Sequence, residues 1–204
     1  MADRPILFSG EMVRAILDGR KTQTRRVVKP QPDFVANYYE PEKKRAAYKG
    51  GSVNPGLLRC PYGRPGDTLW VRETWASHKY MDDTKPSEFS IGAQMLPVWY
   101  RADGVQSNLR WASREPGKWR PSIFMPRWAI RITLRVINVR VERVQDISET
   151  DAKAEGAKPW PDVGVGPHYK SPFRNLWDSI NAKRGYAWSD NPWVWVVEFE
   201  QVVP

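Results

Sequence analysis

Two side chains of the segment 15–26, Lys21 and Thr24, have the types and the spacing that nucleophilic catalysis needs. A threonine hydroxyl becomes a nucleophile when a neighbouring base removes its proton. A lysine can be that base when its pKa is lowered, and like charges lower it because they disfavour the ammonium form. The same segment carries three further cations: Arg20, Arg25 and Arg26. The segment therefore predicts a catalytic site or, as the alternative, an arginine-rich surface that contacts phosphate.

A short amphipathic helix precedes these residues and must position them. Ser9 can cap its N-terminus, and Gly19 stands where a left-handed C-terminal cap is usual. A strand is predicted over residues 22–28. Lys21 and Thr24 have opposite parity in a regular strand, so they can face one site only if Lys21 precedes the pleated part. The turn at Gly19 allows this arrangement.

Two carboxylates complete the set of titratable candidates. Glu155 lies in the last turn of a short helix predicted over residues 146–156, where the helix dipole disfavours an acid. That position indicates a local role for Glu155, with a solvated surface glutamate as the alternative. Glu73 shares one strand face with apolar neighbours, so we expect it to be partly buried and to need a partner, such as an arginine. A structural ion pair is the first interpretation of Glu73, and a catalytic or ligand-orienting role is the second.

Composition limits the classes of function. The 204 residues include 32 Lys plus Arg against 23 Asp plus Glu, and the formal net charge of +9 favours anionic partners, nucleic acid first. Cys60 is the only cysteine and there are two histidines, so the sequence predicts no intramolecular disulfide and no zinc site. No metal site and no cofactor are assigned, although a carboxylate-bound magnesium stays open. The lack of a long apolar run and of a signal-peptide pattern predicts a cytoplasmic protein with no membrane partner.

The strand patterns predict one small β-barrel with short flanking helices. Residues 128–144 form the longest pattern, and their apolar positions change parity near residues 136–137, which predicts a bulge or bend. The final strand, over residues 191–199, is apolar on both faces and belongs in the middle of a sheet. Insertions are expected at about residues 33–60 and 76–126, and the first of them reads as a mobile, solvated loop.

Smaller elements complete the predicted α+β fold. They are a first strand over residues 6–8, a short strand over 98–102, an extended segment over 121–126 and an amphipathic helix over 173–180. No repeat and no second-domain boundary is found, so residues 1–204 are assigned to one domain.

Several side chains are candidates for binding substrate or nucleic acid. Arg131 and Arg135 share one polar strand face, and we expect them to form a phosphate-contacting surface together with Arg25 and Arg26. Trp160, in a loop rich in proline and glycine, is a candidate for stacking on a base. The full set of predicted binding residues is Arg20, Arg25, Arg26, Glu73, Arg131, Arg135 and Trp160.

Three segments taken together resemble the ASCH domain family. They are Ile16-Leu17-Asp18-Gly19-Arg20-Lys21-Thr22-Gln23-Thr24-Arg25-Arg26, Pro65-Gly66-Asp67-Thr68-Leu69-Trp70-Val71, and the helix that ends at Glu155-Gly156. Residues 69–75 and 191–199 are similar to the corresponding parts of phage- and prophage-encoded members. The resemblance covers the predicted barrel strands and both ends of the chain, but not the two insertions.

The resemblance implies a PUA-like β-barrel and an activity. Small bacterial members are amidohydrolases that remove the acetyl group from N4-acetylcytidine with a lysine, a threonine and a glutamate, which match Lys21, Thr24 and Glu155 here. Thr24 would attack the amide carbonyl, Lys21 would take its proton, and Glu155 would hold Lys21 or the leaving amine. Other relatives are implicated in RNA binding or cleavage.

The expected function is therefore metal-independent amidohydrolysis of an acylated cytidine or a similar modified nucleoside. A non-catalytic RNA- or DNA-binding module of the PUA-like type is one alternative, and a ribonuclease is the other. The expected partners are a modified nucleoside or single-stranded nucleic acid.

Overall fold

The computed structural model describes residues 2–32, 35–40, 45–50, 57–88, 97–104, 115–160 and 166–202. The strands within these ranges are β1 (Asp3–Leu7), β2 (Gln23–Val27), β3 (Val35–Glu40), β4 (Arg45–Gly50), β5 (Leu57–Leu58), β6 (Thr68–Arg72), β7 (Trp75–Ala76), β8 (Trp99–Tyr100), β9 (Thr133–Arg143) and β10 (Trp193–Val202). The helices are α1 (Gly10–Leu17), α2 (Glu149–Ala154) and α3 (Lys170–Asn181).

A five-stranded mixed sheet is the centre of this α+β fold. Its strand order is β1-β6-β9-β10-β2, with β1 parallel to β6 and all other neighbours antiparallel. Among the described residues β1 does not pair with β2, so these two strands are the edges and the sheet does not close into the predicted barrel. Two smaller sheets, β3-β4-β5 and β7-β8, accompany it.

Strand β10 lies between β9 and β2 because it is apolar on both faces. Val197 and neighbours on its face pack into a core with α1, whereas Val196 and neighbours on the opposite face pack into a core with α2 and α3. A strand buried on both faces must be internal to a sheet. The prediction that the final strand is central is confirmed.

A bulge interrupts β9 where the apolar positions change parity. Asn138 pairs with Glu198 and Val136 pairs with Phe199, so Ile137 is the extra residue. The bulge lets Val136 and Val139 enter the same core although they are three residues apart. The predicted irregularity near residues 136–137 is confirmed.

The loop predicted for residues 33–60 is wrong in the described part of that range, and residues 33–34, 41–44 and 51–56 lie outside the described residues. Instead of a loop, the chain forms an antiparallel sheet of β3, β4 and β5. The aromatic and β-branched residues of 35–40 have high strand propensity, and the charges and glycines of 40–51 obscured it.

Residues 121–126 also differ from the prediction, because Ser122–Phe124 is a 3₁₀ turn and not an extended segment. The two flanking prolines fix φ at values that suit such a turn as well as an extended chain. Of the second predicted insertion, residues 89–96 and 105–114 lie outside the described residues.

The predicted first strand and the short strand near residue 100 are present as β1 and β8. The three predicted helices are present as α1, α2 and α3. Among the described helices, none combines the length and the apolar character that crossing a membrane requires.

Candidate functional site

The turn that follows α1 brings Lys21 to the start of β2. Gly19 adopts φ +69°, the left-handed conformation that ends a helix. Lys21 then forms a single antiparallel bridge with Glu155, and the regular strand begins only at Gln23. Lys21 therefore precedes the pleated strand, which is the condition under which it and Thr24 can serve one site.

Helix α2 ends at the residue that pairs with Lys21. Ser148 caps the start of α2, and Glu155 is the C-cap. Gly156 follows with φ +82°, and a Cβ at this position would lie 2.9 Å from the Cβ of Ala15 and 3.1 Å from the Cβ of Lys21. Glycine at this position thus allows α1 and the end of α2 to approach closely enough for the bridge.

The Lys21 side chain is fully enclosed, and each of its three N–H groups has an acceptor. Nζ donates to the backbone oxygens of Gln23 (2.9 Å) and Glu155 (2.8 Å) and to Oε2 of Glu155 (2.8 Å). Burial lowers the pKa of Lys21, and the negative charge of Glu155 opposes this effect. The predicted direction is confirmed, but burial is the main cause, and the like charges of Arg25 and Arg26 contribute less.

Glu155 belongs to a wider network of ion pairs. Its Oε1 accepts from Nη1 of Arg25 at 3.3 Å, and Arg25 also contacts Glu142 and Asp151. Burial raises the pKa of Asp151, but the charges of Arg25 and Arg140 outweigh it and hold that pKa below its ordinary value. The Arg25 side chain is fully enclosed and paired with carboxylates, so it is not part of an exposed arginine-rich surface, and its role in binding stays a prediction.

Thr24 and Glu155 both line an open cavity of about 780 Å³. Thr24 is buried in β2, where it pairs with Val197 of β10, and no hydrogen bond to its hydroxyl is found in the described part of the chain. Lys21 does not line the cavity. The amine contacts Glu155, which does line the cavity.

Basic and aromatic side chains from separate parts of the chain line the same cavity. The four cations besides Arg25 are Arg26, Lys29, Arg59 and Arg184, and two half-buried tyrosines are Tyr62 and Tyr186. Of these residues, sequence analysis identified only Arg26. These residues lie far apart in the chain and share no sequence motif. The sequence alone therefore could not predict that they line one cavity.

Glu73 lies outside this cavity, in a buried ion pair with Arg131. The two guanidinium nitrogens lie 2.9 and 3.1 Å from the two carboxylate oxygens, and Arg131 also contacts Asp103. Burial raises the pKa of Glu73, whereas Arg131 opposes that effect. The prediction that Glu73 takes an arginine partner is confirmed. Arg131 is thereby held by two carboxylates.

The remaining predicted binding residues do not line the cavity. Arg20 and Arg135 are exposed and lie 2.8 and 3.5 Å from exposed carboxylates, and Trp160 is 55% exposed. Arg131 and Arg135 are therefore not brought to the site of Arg25 and Arg26. Among the described residues, no group of three His, Cys, Asp or Glu side chains is arranged to hold a metal ion.

Comparison with known proteins gives no match to any family model, curated protein or solved structure. The interpretation of the site therefore depends on its geometry and on the sequence segments described above.

Proposed function

We propose that this chain is a metal-independent amidohydrolase of the ASCH type, with a PUA-like fold, that acts on an acylated cytidine or a similar modified nucleoside. The observation that carries the proposal is that Lys21 contacts Glu155 and that Glu155 and Thr24 line one cavity. Nζ of Lys21 lies 2.8 Å from Oε2 of Glu155, 134 positions away, and Thr24 and Glu155 line one cavity. The cavity volume of about 780 Å³ is in the range that binds small organic ligands.

The reaction would proceed through an ester of Thr24. Oγ1 adds to the carbonyl carbon of the acyl amide, and its proton passes to the pair formed by Lys21 and Glu155. The C–N bond then breaks, and the same pair returns the proton to the leaving amine nitrogen. Water hydrolyses the ester, which releases the carboxylic acid and restores the Thr24 hydroxyl.

The basic group is best treated as the Lys21–Glu155 pair. The Lys21 amine can accept a proton only in its neutral form, and burial favours that form because it lowers the pKa. Glu155 contacts Nζ and lines the same cavity as Thr24, so in this proposal its carboxylate would pass the proton between the Thr24 hydroxyl and the enclosed amine.

The direct test is acetate release from N4-acetylcytidine by the purified full chain. Thr24→Val keeps the β-branched shape that the strand prefers and removes the nucleophile, and Lys21→Met keeps the aliphatic length and removes the base. We expect each change to lower kcat by about 10²–10⁴-fold or more. The double variant should be little worse than either single one, because residues that act as one unit are not additive.

Thr22→Val is the matched control, since Thr22 is exposed and does not line the cavity of Thr24. It should keep the turnover of the unmodified protein. Absence of acetate release from acylated cytidines, or full activity of Thr24→Val, would contradict the proposal.

A non-catalytic nucleic-acid-binding module is the second candidate, because four cations other than Arg25 line the cavity. The same preparations separate the two functions. RNA binding without turnover of any acylated cytidine would favour the binding module.

A further inference from the structure

The cavity that contains Thr24 carries an unbalanced positive charge. Glu155 is the only carboxylate among its described lining residues, and Lys21 and Arg25 already neutralise it. Four further cations, here called the cleft cations, line the same cavity: Arg26, Lys29, Arg59 and Arg184.

Two of the cleft cations, Arg26 and Lys29, lie against aromatic rings. No carboxylate lies within ion-pair distance of the cleft cations in the part of the chain that the structure describes. Arg26 lies 5.2 Å from the centre of the Phe8 ring, and Nζ of Lys29 lies 5.1 Å from that of Tyr186. Ring faces attract cations but leave their charge in place. Burial lowers the pKa of Arg26, Tyr62 and Glu155 oppose that effect, and the charge of Arg184 adds to it.

Two arginines outside the set of cleft cations are paired with carboxylates. Arg25 contacts Glu142 and Asp151, and Arg131 contacts Glu73 and a further carboxylate. The charge of these arginines is neutralised by the carboxylates that contact them. The cleft cations keep their charge on an open cavity, where it is available to an anionic ligand.

We propose that the cleft cations form a phosphate-binding subsite, so that the ligand of this cavity is a nucleotide rather than a neutral nucleoside; this deepens the proposed function and rests on it. Arginine binds phosphate through parallel N–H···O bonds, and lysine binds it as a compact charge. Tyr62 and Tyr186 line the same cavity and supply ring faces for a base. The phosphate can be the monoester of a mononucleotide or a diester within RNA, since both present the same charged oxygens.

Binding of unreactive probes to the full chain tests the subsite. Cytidine, cytidine 5′-monophosphate and a short single-stranded RNA containing cytidine are titrated by calorimetry. Cytidine 5′-monophosphate should bind at least about tenfold more tightly than cytidine at low salt, and the ratio should fall as salt rises. Tighter binding of the RNA than of the mononucleotide would identify a diester as the source of the phosphate. Equal affinity for cytidine and its monophosphate would overturn the subsite.

Three variants locate the phosphate. Lys29, Arg59 and Arg184 are exposed, so Lys29→Met, Arg59→Met and Arg184→Met should fold normally. Each should weaken binding of the monophosphate by about five- to tenfold and change the affinity for cytidine by less than about twofold.

Arg174→Met is the matched control, because Arg174 is exposed on α3, does not line the cavity and carries the same charge. It should leave the ratio of the two affinities unchanged. If it lowers the ratio as much as Arg184→Met does, the preference comes from net charge and the subsite is wrong.

Acetate release separates this inference from the proposed function. Preference for the monophosphate without turnover of any acylated substrate would support the subsite and contradict the amidohydrolase. Turnover of acylated cytidine with equal binding of cytidine and its monophosphate would support the amidohydrolase and overturn the subsite.

Discussion

The contact between Lys21 and Glu155 sets the protonation state of the candidate base. Burial lowers the pKa of Lys21, and Glu155 raises it part of the way back. Burial and the Glu155 carboxylate therefore act in opposite directions on the proton affinity of the Lys21 amine. A substitution that removes the Glu155 carboxylate should therefore lower the pKa of Lys21 further.

We predict that Glu155→Gln moves the rising limb of the pH–rate profile to lower pH. Activity needs the neutral amine, so kcat/KM should rise as pH passes the pKa of Lys21, which lies below its ordinary value of 10.5. Removing the carboxylate removes the charge that raises this pKa, so the midpoint should fall further. The measurement is kcat/KM for acetate release across the alkaline range.

Glu142→Gln is the control for this profile, because Glu142 contacts Arg25 and does not contact Lys21. Its midpoint should stay close to that of the unmodified protein. A shift of the Glu155→Gln limb to higher pH would contradict the assignment of Lys21 as the base.

Individual site residues could be predicted from the sequence only where residue types and spacing within one short segment identified them. Lys21 and Thr24 could be identified because both lie in one short segment, directly after the turn at Gly19. Glu155 depended on its position at a helix end and on a family resemblance. The enclosure of Arg25 was not visible in the sequence, since carboxylates from two distant elements supply it.

At the scale of elements, the site depends on how closely α1 and the end of α2 approach. Gly156 makes that approach possible, because a Cβ there would meet Ala15 and Lys21 at 2.9 and 3.1 Å. A displacement at this point would move the bridge that holds Lys21 against Glu155.

We predict that Gly156→Ala lowers both stability and activity. The left-handed φ costs about 1–2 kcal/mol, and overpacking against α1 adds about 1–3 kcal/mol. Gly66→Ala is the control, since Gly66 also has a left-handed φ, +92°, and no atom of the described residues lies within 4 Å of the added Cβ. The loss of unfolding free energy, measured in urea, and the loss of acetate-release activity should both be clearly larger for Gly156→Ala than for the control. Equal losses at the two glycines would mean that contact with Lys21 is unimportant.

Strands and helices could be predicted where apolar residues recur at a regular spacing within one short segment. The parity change in β9 predicted a bulge, and the doubly apolar β10 predicted a central strand. The β3–β4–β5 sheet was missed because charges and glycines dominate the segment, although the pairing of strands decides its structure. The alternation of apolar residues along the strands could not show whether the sheet closes into a barrel. A bulge bends a strand but does not determine which edge strands pair.

For the whole molecule, the net charge of +9 predicted an anionic partner but not its location. The structure separates the charges into two kinds. Many arginines are paired with carboxylates inside the fold, whereas the cleft cations lie on the cavity of Thr24. This separation depends on tertiary contacts, which composition does not contain.

The two core layers of the molecule share one strand, so we predict that they unfold together. Val197 of β10 is buried in the layer with α1, and Val196 is buried in the layer with α2 and α3. Val196→Ala and Val197→Ala should each lower the free energy of unfolding by about 2 kcal/mol, from lost apolar burial and the cavity left behind. Val202→Ala, half-buried at the end of the same strand, is the control and should cost less than about 0.5 kcal/mol. Far-ultraviolet circular dichroism and tryptophan fluorescence should report one coincident urea transition in every variant. Early loss of helical signal in Val196→Ala alone would show instead that the layer with α2 and α3 unfolds separately.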